Sequence, residues 1–569
     1  MDFKKIYDFY KKNKADVDNI LLQFKNYIEQ NKELVTTTLQ NVASGELEII
    51  ETISPEEEKH FRALCGWIVA RGPTQALAIL QLVQTHPAIL DSRLEGMDTP
   101  TMDIVKRLDI VTDINHSIKD NQLNGRTLTR LAVLLASYIF YDEFHSPQPE
   151  TGVYNISGSL FEKLKWLYRY WFNQLEVAEK GSGLESFFAS QHLTFNVTQP
   201  TMSSGIKNRL SVSCAGDLLA VDVLIPENTP HLFDEITDFY STADIVSANL
   251  ESTVDERQPI GRSQQPGEPA RMNTSKAMFQ KFRDEAKINY FSTATNHAMD
   301  WDVGGVDATL DLIEKSGAYY SGTTKSSAKK GEERDEFTII EKNGIKVAML
   351  AYTFDLNGYD TPADMPYLVN VVRFNDADPK PDYSLIKKHV AAAKAKGAEW
   401  IIAYCHWGWE FEMYPHVNIR EAAHKVIDCG VDTILGNHAH VSQPAELIPR
   451  EGQQDALVVY AFGDFVSYHP ESRNSKLAYI VKFDINKFTP TNAGSPRMLA
   501  LANLQALPIY IVNEHLGDKR YDCRIVKFDD VLKKPDGYGL TELEKSQLPH
   551  LKEKVWKDIL SPLSGLSTR

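Results

Sequence analysis

The sequence is poor in cysteine, and its cysteines make no pattern. Cys65, Cys214, Cys405, Cys429 and Cys523 are scattered and odd in number, and none forms a C-x-x-C pair. That argues against a disulfide framework and a thiolate zinc site, and for a reducing compartment. Long apolar runs are missing too. The stretch Leu131 to Tyr141 (LAVLLASYIFY) is the longest, well short of the roughly 20 residues that span a bilayer. It reads as the buried side of a helix. The opening MDFKKIYDFYKKNK is charged and aromatic, without the apolar core of a secretory signal. A cytoplasmic protein without a membrane span is the expectation. Positive charge is in deficit, with 61 Lys and Arg against 77 Asp and Glu and a net charge of −16. This argues against binding nucleic acid or an anionic membrane surface, since both need clustered positive charge. No G-x-x-x-x-G-K-[ST], no G-x-G-x-x-G after a strand and no G-x-S-x-G elbow occurs, so P-loop, dinucleotide-binding and serine-hydrolase chemistries have no footing.

What is present is ordinary globular material in quantity. At 569 residues the chain predicts two to four domains. Hydrophobic residues at 43% and charged residues at 24% match soluble globular proteins. Residues 1–200 read as an all-α segment. Ser54-Pro55-Glu56-Glu57 has the serine, proline and N3 glutamate of a capped helix start. Helical spacing recurs over 15–40, 75–90, 103–118, 127–142 and 160–177. The aromatic stripe FEKLKWLYRYWFNQL (161–175) reads as core or inter-domain packing, with a partner surface as the alternative.

The pattern changes near Lys207. Short β-branched runs (LSVSCAGD, DIVSANLES, INYFSTATNH, WIIAYCHWG, TILGNHAH, VVYAFGDF) alternate with amphipathic stretches at 304–316, 383–397 and 420–430. Such alternation predicts an α/β domain over 207–530. Asn343-Gly344 between two apolar runs predicts a hairpin, so the sheet is not purely parallel. A break at 486–497 precedes strand-like runs at 505–513 and 522–528, and residues 531–569 read as a helical tail.

The chemistry sits at the ends of these runs. Asp217, Asn249 and Glu251, Asn296 and His297, His406, His438 and His440, and Asp464 each follow an apolar run. In open α/β sheets the carboxyl ends of strands gather into one site. Any one of these residues alone could cap a turn or pack a loop; the recurrence is the signal. Carboxylate, amide oxygen and imidazole together suit hard or borderline divalent cations such as Mn, Fe, Zn or Mg. Seven or more candidate ligands exceed the need of one ion and predict a two-metal cluster. The spacing of His438-x-His440 is read as placing both imidazoles on one side of an extended segment.

These residues also carry a resemblance. From about Leu210 to Asn513 the sequence resembles the poly-γ-glutamate capsule-biosynthesis (CapA-like) family, within the calcineurin-like metallophosphoesterase superfamily. The matching blocks are Gly216-Asp217, Asn249-Leu250-Glu251-Ser252, Asn296-His297-Ala298-Met299-Asp300, His406-Trp407-Gly408-Trp409-Glu410, Gly436-Asn437-His438-Ala439-His440-Val441 and Gly463-Asp464-Phe465. The resemblance implies a four-layer α/β/β/α metallophosphoesterase-like sandwich, here preceded by the all-α segment. It implies Asp217, Glu251, Asn296, His406, His438 and His440 as metal ligands, His297 as the proton donor to the leaving group, and Asp300 as its orienting partner. Arg271, Asn249, Glu410 and Asp464 are expected around an anionic substrate. The sequence departs from the family where Leu219 replaces a histidine, Thr295 an asparagine, and Asp464 a common asparagine.

Three functions follow as expectations. The first is a metal-dependent hydrolase, a phosphoesterase with a binuclear centre and bridging hydroxide. The second is amide hydrolysis or transfer at a γ-glutamyl bond with the same metals. The third is a non-catalytic accessory protein of poly-γ-glutamate metabolism that docks a partner through its N-terminal helices. The substrate is expected to be a small or peptide-like anion.

Overall fold

The computed structural model describes residues 141–156, 160–172, 174–193, 203–264, 269–328, 336–451, 453–490, 499–518 and 520–566, with a few isolated positions besides. The helices expected over 15–40, 75–90 and 103–118, the Ser54 cap and Cys65 lie outside the described residues. Two compact units make up the chain: Met1–His145, Gly158–Asn173 and Gln264–Pro269 in one, Ser146–Ser157, Gln174–Ser263 and Ala270–Arg569 in the other.

In the first unit, α1 (Leu160–Trp171) carries the aromatic stripe. Leu167, Tyr168 and Phe172 pack with Val133 and Phe144, and Phe161, Leu164, Trp166 and Trp171 flank them. The stripe up to Phe172 is therefore core of its own unit, while Gln174 and Leu175 fall in the second.

The second unit is a mixed α/β structure with two main sheets. One has the strand order β16 (Arg520–Lys527), β15 (Leu499–Gly517), β14 (Leu477–Pro490), β1 (Ser203–Leu218), β2 (Ile245–Leu250), β5 (Tyr290–Ser292) and β6 (Tyr319–Ser321), with β13 (Asp464–Val466) pairing alongside β1. The other runs β11 (Ala445–Ile448), β12 (Ala456–Val459), β10 (Thr433–Asn437), β9 (Trp400–His406), β8 (Ile345–Thr353) and β7 (Thr338–Lys342). A small hairpin joins β3 (Gly261–Ser263) to β4 (Arg271–Asn273). Every residue of β2, β9 and β10 is buried, which is why these strands read as continuous apolar runs rather than alternating ones. The sheets meet face to face: Tyr404 of β9 donates to Ser247 Oγ of β2 at 2.7 Å, and its ring lies 5.7 Å from Tyr290 of β5.

Helices α2 (Lys276–Asp284), α3 (Asp302–Lys315), α4 (Ser384–Ala395) and α5 (Val417–Asp428) connect the strands. Ser275 caps α2 by accepting from the Met278 amide at 3.1 Å, and the helix buries Met278, Phe279 and Phe282. At the hairpin between β7 and β8, Asn343 and Gly344 take φ of 52° and 70°, the paired positive values that a tight two-residue turn demands. The break expected at 486–497 is narrower than the sequence suggests, because β14 continues to Pro490 and β15 starts at Leu499. Short helices α6 (Phe528–Lys533) and α7 (Glu542–His550) follow β16.

Candidate metal centre

Parallel pairing brings the candidate ligands level. Asp217 at the end of β1 pairs in register with Asn249 of β2 on one side and Asp464 of β13 on the other. In the second sheet Thr353, His406 and Asn437 pair across β8, β9 and β10, so His438 leaves its strand beside His406. Two glycines allow the close approach: a Cβ on Gly216 would sit 1.8 Å from the Gly463 carbonyl oxygen, and one on Gly436 1.8 Å from that of Tyr460. His438 and His440 themselves adopt φ of 95° and 52°. The extended segment expected for His438-x-His440 is thus corrected: a left-handed turn, strained for residues with a Cβ, aims the two rings. Their centroids lie 6.2 Å apart.

Two groups of donors share Glu251. Glu251, His406 and His438 offer ligand atoms all within 4.8 Å of one another, as do Asp217, Glu251 and His440. Nε2 of His406 lies 3.4 Å from Glu251 Oε1 and 2.7 Å from Asn296 Oδ1. Its orientation is set from behind, because the Asn249 amide donates to its Nδ1 at 3.1 Å and to Asp217 Oδ1 at 2.7 Å. Asp217 Oδ2 accepts from the His438 backbone amide at 3.1 Å. His440 Nε2 is 3.7 Å from Glu251 Oε1, while its Nδ1 bonds Asp464 Oδ1 at 2.8 Å.

Electrostatics sort these groups. Burial pushes Asp217 up to about 7 and Glu251 well above the ordinary carboxylate range, and in both the nearby Asp464 adds to the rise. Burial also drives His406 and His438 well below the usual imidazole value, helped by the neighbouring histidines. These two are neutral near pH 7, the form that ligates metal. Burial would lower His440 as well, but the Glu251 and Asp464 carboxylates raise it. Asp464 runs the other way: burial would raise it, and the imidazoles of His440 and His469 hold it low.

The residues fit a divalent cation. Both carboxylate oxygens of Glu251 and both ring nitrogens of His438 are buried without a hydrogen-bond partner. Leaving buried polar atoms unpaired costs about 1–3 kcal/mol each. A cation ligated by oxygen and neutral imidazole removes that cost, and its charge offsets the burial and the neighbouring carboxylates that raise Glu251 and Asp217.

The remaining candidates lie around this cluster. His297 Nδ1 bonds Asp300 Oδ2 at 2.7 Å, and that oxygen also accepts from the Met272 amide at 2.6 Å. Arg271 donates from Nε to the Tyr359 hydroxyl at 3.1 Å and stacks its guanidinium 5.4 Å from the Trp301 and Tyr359 rings. Glu410 reaches within 3.9 Å of His438 Nε2. Asn249 and Asp464 are fully buried; Asn249 Nδ2 and both oxygens of Asp464 bond other side chains, while Asn249 Oδ1 is buried without a partner. Two participants were missed by the sequence reading. His469 lies 3.5 Å from Asp464 Oδ2 and groups with His440 and Asp464. Asn357 accepts from Asn296 Nδ2 at 3.1 Å and stands 3.4 Å from His297 Nδ1. Asn357 follows the run IKVAMLAYT, so the strand-end rule, had it been applied to that run, would have found it.

Residues 211–469 match the family model described as "Bacterial capsule synthesis protein PGA_cap". Over these residues the chain is similar to that family. The PGA biosynthesis protein CapA of Bacillus subtilis is 26% identical over 313 residues, covering 49% of this chain and 73% of that protein. The capsule biosynthesis protein CapA of Bacillus anthracis is 22% identical over 307 residues, covering 50% and 69%. Among solved structures, a hypothetical protein from Thermus thermophilus is 17% identical with a TM-score of 0.29, covering 52% of this chain and 99% of that one. The matched CapA segment contains every candidate ligand, from Asp217 to Asp464, and also His469. Among the described residues no helix is long and apolar enough to cross a membrane.

Proposed function

We propose that this chain is a metal-dependent hydrolase acting on phosphoesters. The observation that carries the reading is the buried cluster in which Glu251 and His438 hold unpartnered polar atoms among two overlapping donor groups. Asp217, Glu251 and His440 would hold one divalent ion, and Glu251, Asn296, His406 and His438 a second, the metals being Mn, Fe, Zn or Mg. Bound there, such ions supply Lewis acidity and lower the pKa of water. The chain's own groups do the rest. With Nδ1–H of His297 bonded to Asp300, Nε2 is the nitrogen left for the site, and in the doubly protonated ring it would hold the proton that passes to a departing oxygen. Asp300 fixes the ring's orientation and offsets the positive charge of that form. Arg271, held by Tyr359 and Trp301, presents positive charge to an anionic substrate, and Glu410 borders the same space. The facing sheets, with α3 packed on β6 and α5 on β10, support a four-layer α/β/β/α arrangement, and the dispersed cysteines support a cytoplasmic setting.

A second reading, hydrolysis or transfer at a γ-glutamyl amide, is favoured by the poly-γ-glutamate role named for the Bacillus subtilis relative. Metal content of the purified chain separates both from a non-catalytic role. About two equivalents, lost in a His438→Ala/His440→Ala double variant, are expected; no metal after reconstitution sinks both enzymatic readings. Turnover of phosphate esters against γ-glutamyl peptides then decides between the two.

A further inference from the structure

The bond between Asp464 and His440 is not needed to build either donor group, yet it is among the most completely supported contacts in the cluster. Asp464 is fully buried. Its Oδ1 accepts from His440 Nδ1 at 2.8 Å, its Oδ2 accepts from the Ser467 hydroxyl at 2.6 Å, and His469 Nε2 lies 3.5 Å from that second oxygen. Register between β13 and β1 fixes its backbone beside Asp217. Both oxygens are thus committed to the protein, and a side chain held in this way has no face to offer a substrate.

We propose that Asp464 is a positioning residue: by taking the Nδ1 proton of His440 it turns Nε2 toward Glu251 and strengthens cation binding at the Asp217–Glu251–His440 half of the cluster. The inference rests on the metal-dependent reading above. That half has three side chains, whereas the other adds Asn296 to Glu251, His406 and His438. Leu219, two residues beyond Asp217, contributes no donor and packs instead with Val221 and Met272. A carboxylate behind a ligating imidazole fixes its tautomer, limits its rotation and raises the basicity of the other nitrogen, effects that together change metal affinity by about 10–100-fold. The half with fewer ligands is the one given this support. Asp464 consequently acts behind the metal ligands and not on the substrate.

The test is Asp464→Asn in the full chain, an isosteric change that keeps an acceptor but removes its charge. Metal content is followed while the protein is titrated with a chelator. One equivalent is expected to leave at about 10–100-fold lower chelator concentration than in the parent, with the other equivalent unmoved and the melting temperature of the metal-free protein preserved. In the metal-free parent the His440 Nδ1 proton should give a downfield, carboxylate-bonded NMR signal that the variant lacks. Superimposable chelator curves overturn the proposal while leaving the metal-dependent reading intact; a parent that binds no metal overturns both. A third equivalent lost only in the variant makes Asp464 a ligand and overturns the positioning role. Should Asp464→Asn fail to fold, Ser467→Ala, which frees Oδ2, is expected to shift the same equivalent in the same direction by less, and no shift there counts against the proposal.

Discussion

Asp300 gives the sharpest residue-scale prediction, because its effect runs through one hydrogen bond to His297. If His297 protonates a leaving oxygen, Asp300→Asn lowers kcat on alkyl phosphate esters by about 10–100-fold, within the range of general acid catalysis. A 4-nitrophenyl ester, whose leaving group needs no proton, should lose less than about 3-fold, and equal losses on both esters reject the assignment. The ligand-type residues were legible in the sequence because each follows an apolar run, and that placement needs no knowledge of side-chain packing. Of the partners behind them, Asp300 was read in its orienting role, Asn249 and Asp464 were singled out for another role, and His469 and Asn357 were missed. His469 comes five residues after Asp464 and three beyond the end of β13, and the folding of its loop brings it 3.5 Å from Asp464 Oδ2. The commitment of both Asp464 oxygens to the protein is likewise a fact of three dimensions.

At the scale of elements, period and turn chemistry carried the reading, and local strain was where it failed. Alternating β-branched and amphipathic runs located β1, β2, β5, β9, β10, β12 and α3, α4 and α5, and Asn-Gly located the hairpin, while the long strand β14 went unread. Nothing in His-Ala-His announces two positive φ values, since those come from the tertiary demand that both rings face Glu251. A different histidine governs a second expectation. His416, directly before α5, stacks on Trp409 with centroids 3.8 Å apart and bonds Glu412 Oε2 from Nε2 at 2.7 Å. Glu179 Oε1 lies 3.1 Å from its Nδ1 without hydrogen-bond geometry. Burial would lower this imidazole, but the Glu412 and Glu179 carboxylates raise it to about 9. The folded state then keeps a proton that the unfolded chain releases near pH 6.5. The resulting stabilisation, about 3 kcal/mol, is complete below pH 6.5 and is lost as pH rises through 9. Urea unfolding of the metal-free protein at pH 6.5, 8 and 10 should show this fall, and His416→Gln should make it shallower by about 3 kcal/mol, leaving the part that His440 and Glu251 contribute in the same direction. A parent protein equally stable at pH 6.5 and 10 contradicts the expectation.

For the whole molecule, the division into two compact units predicts how metal affects unfolding. Only the unit holding the cluster gains from ligation, by about 3–4 kcal/mol at metal concentrations of 100–1,000 times Kd. Calorimetry with and without Mn should move the transition of that unit upward by several degrees and leave any other transition in place. Uniform movement of all transitions would show that the units unfold as one. The sequence divides at 200–207, while the compact unit with the sheets also takes in Ser146–Ser157 and Gln174–Ser263. A boundary read from composition follows the chain, whereas a compact unit is defined by contacts that return to it from a distance.

Gly216 and Gly436 bear on how such a centre changes through descent. Each leaves no room for even a methyl group, because a neighbouring carbonyl occupies that space. Gly216 immediately precedes Asp217, and Gly436 lies two residues before His438. The usual gradual route, in which neighbouring residues drift and carry a ligand with them, is closed at these positions. New metal preferences must come instead from exchanges at the ligands or at supports such as Asp464. Diversification at this centre should therefore proceed by discrete replacements within an almost invariant backbone.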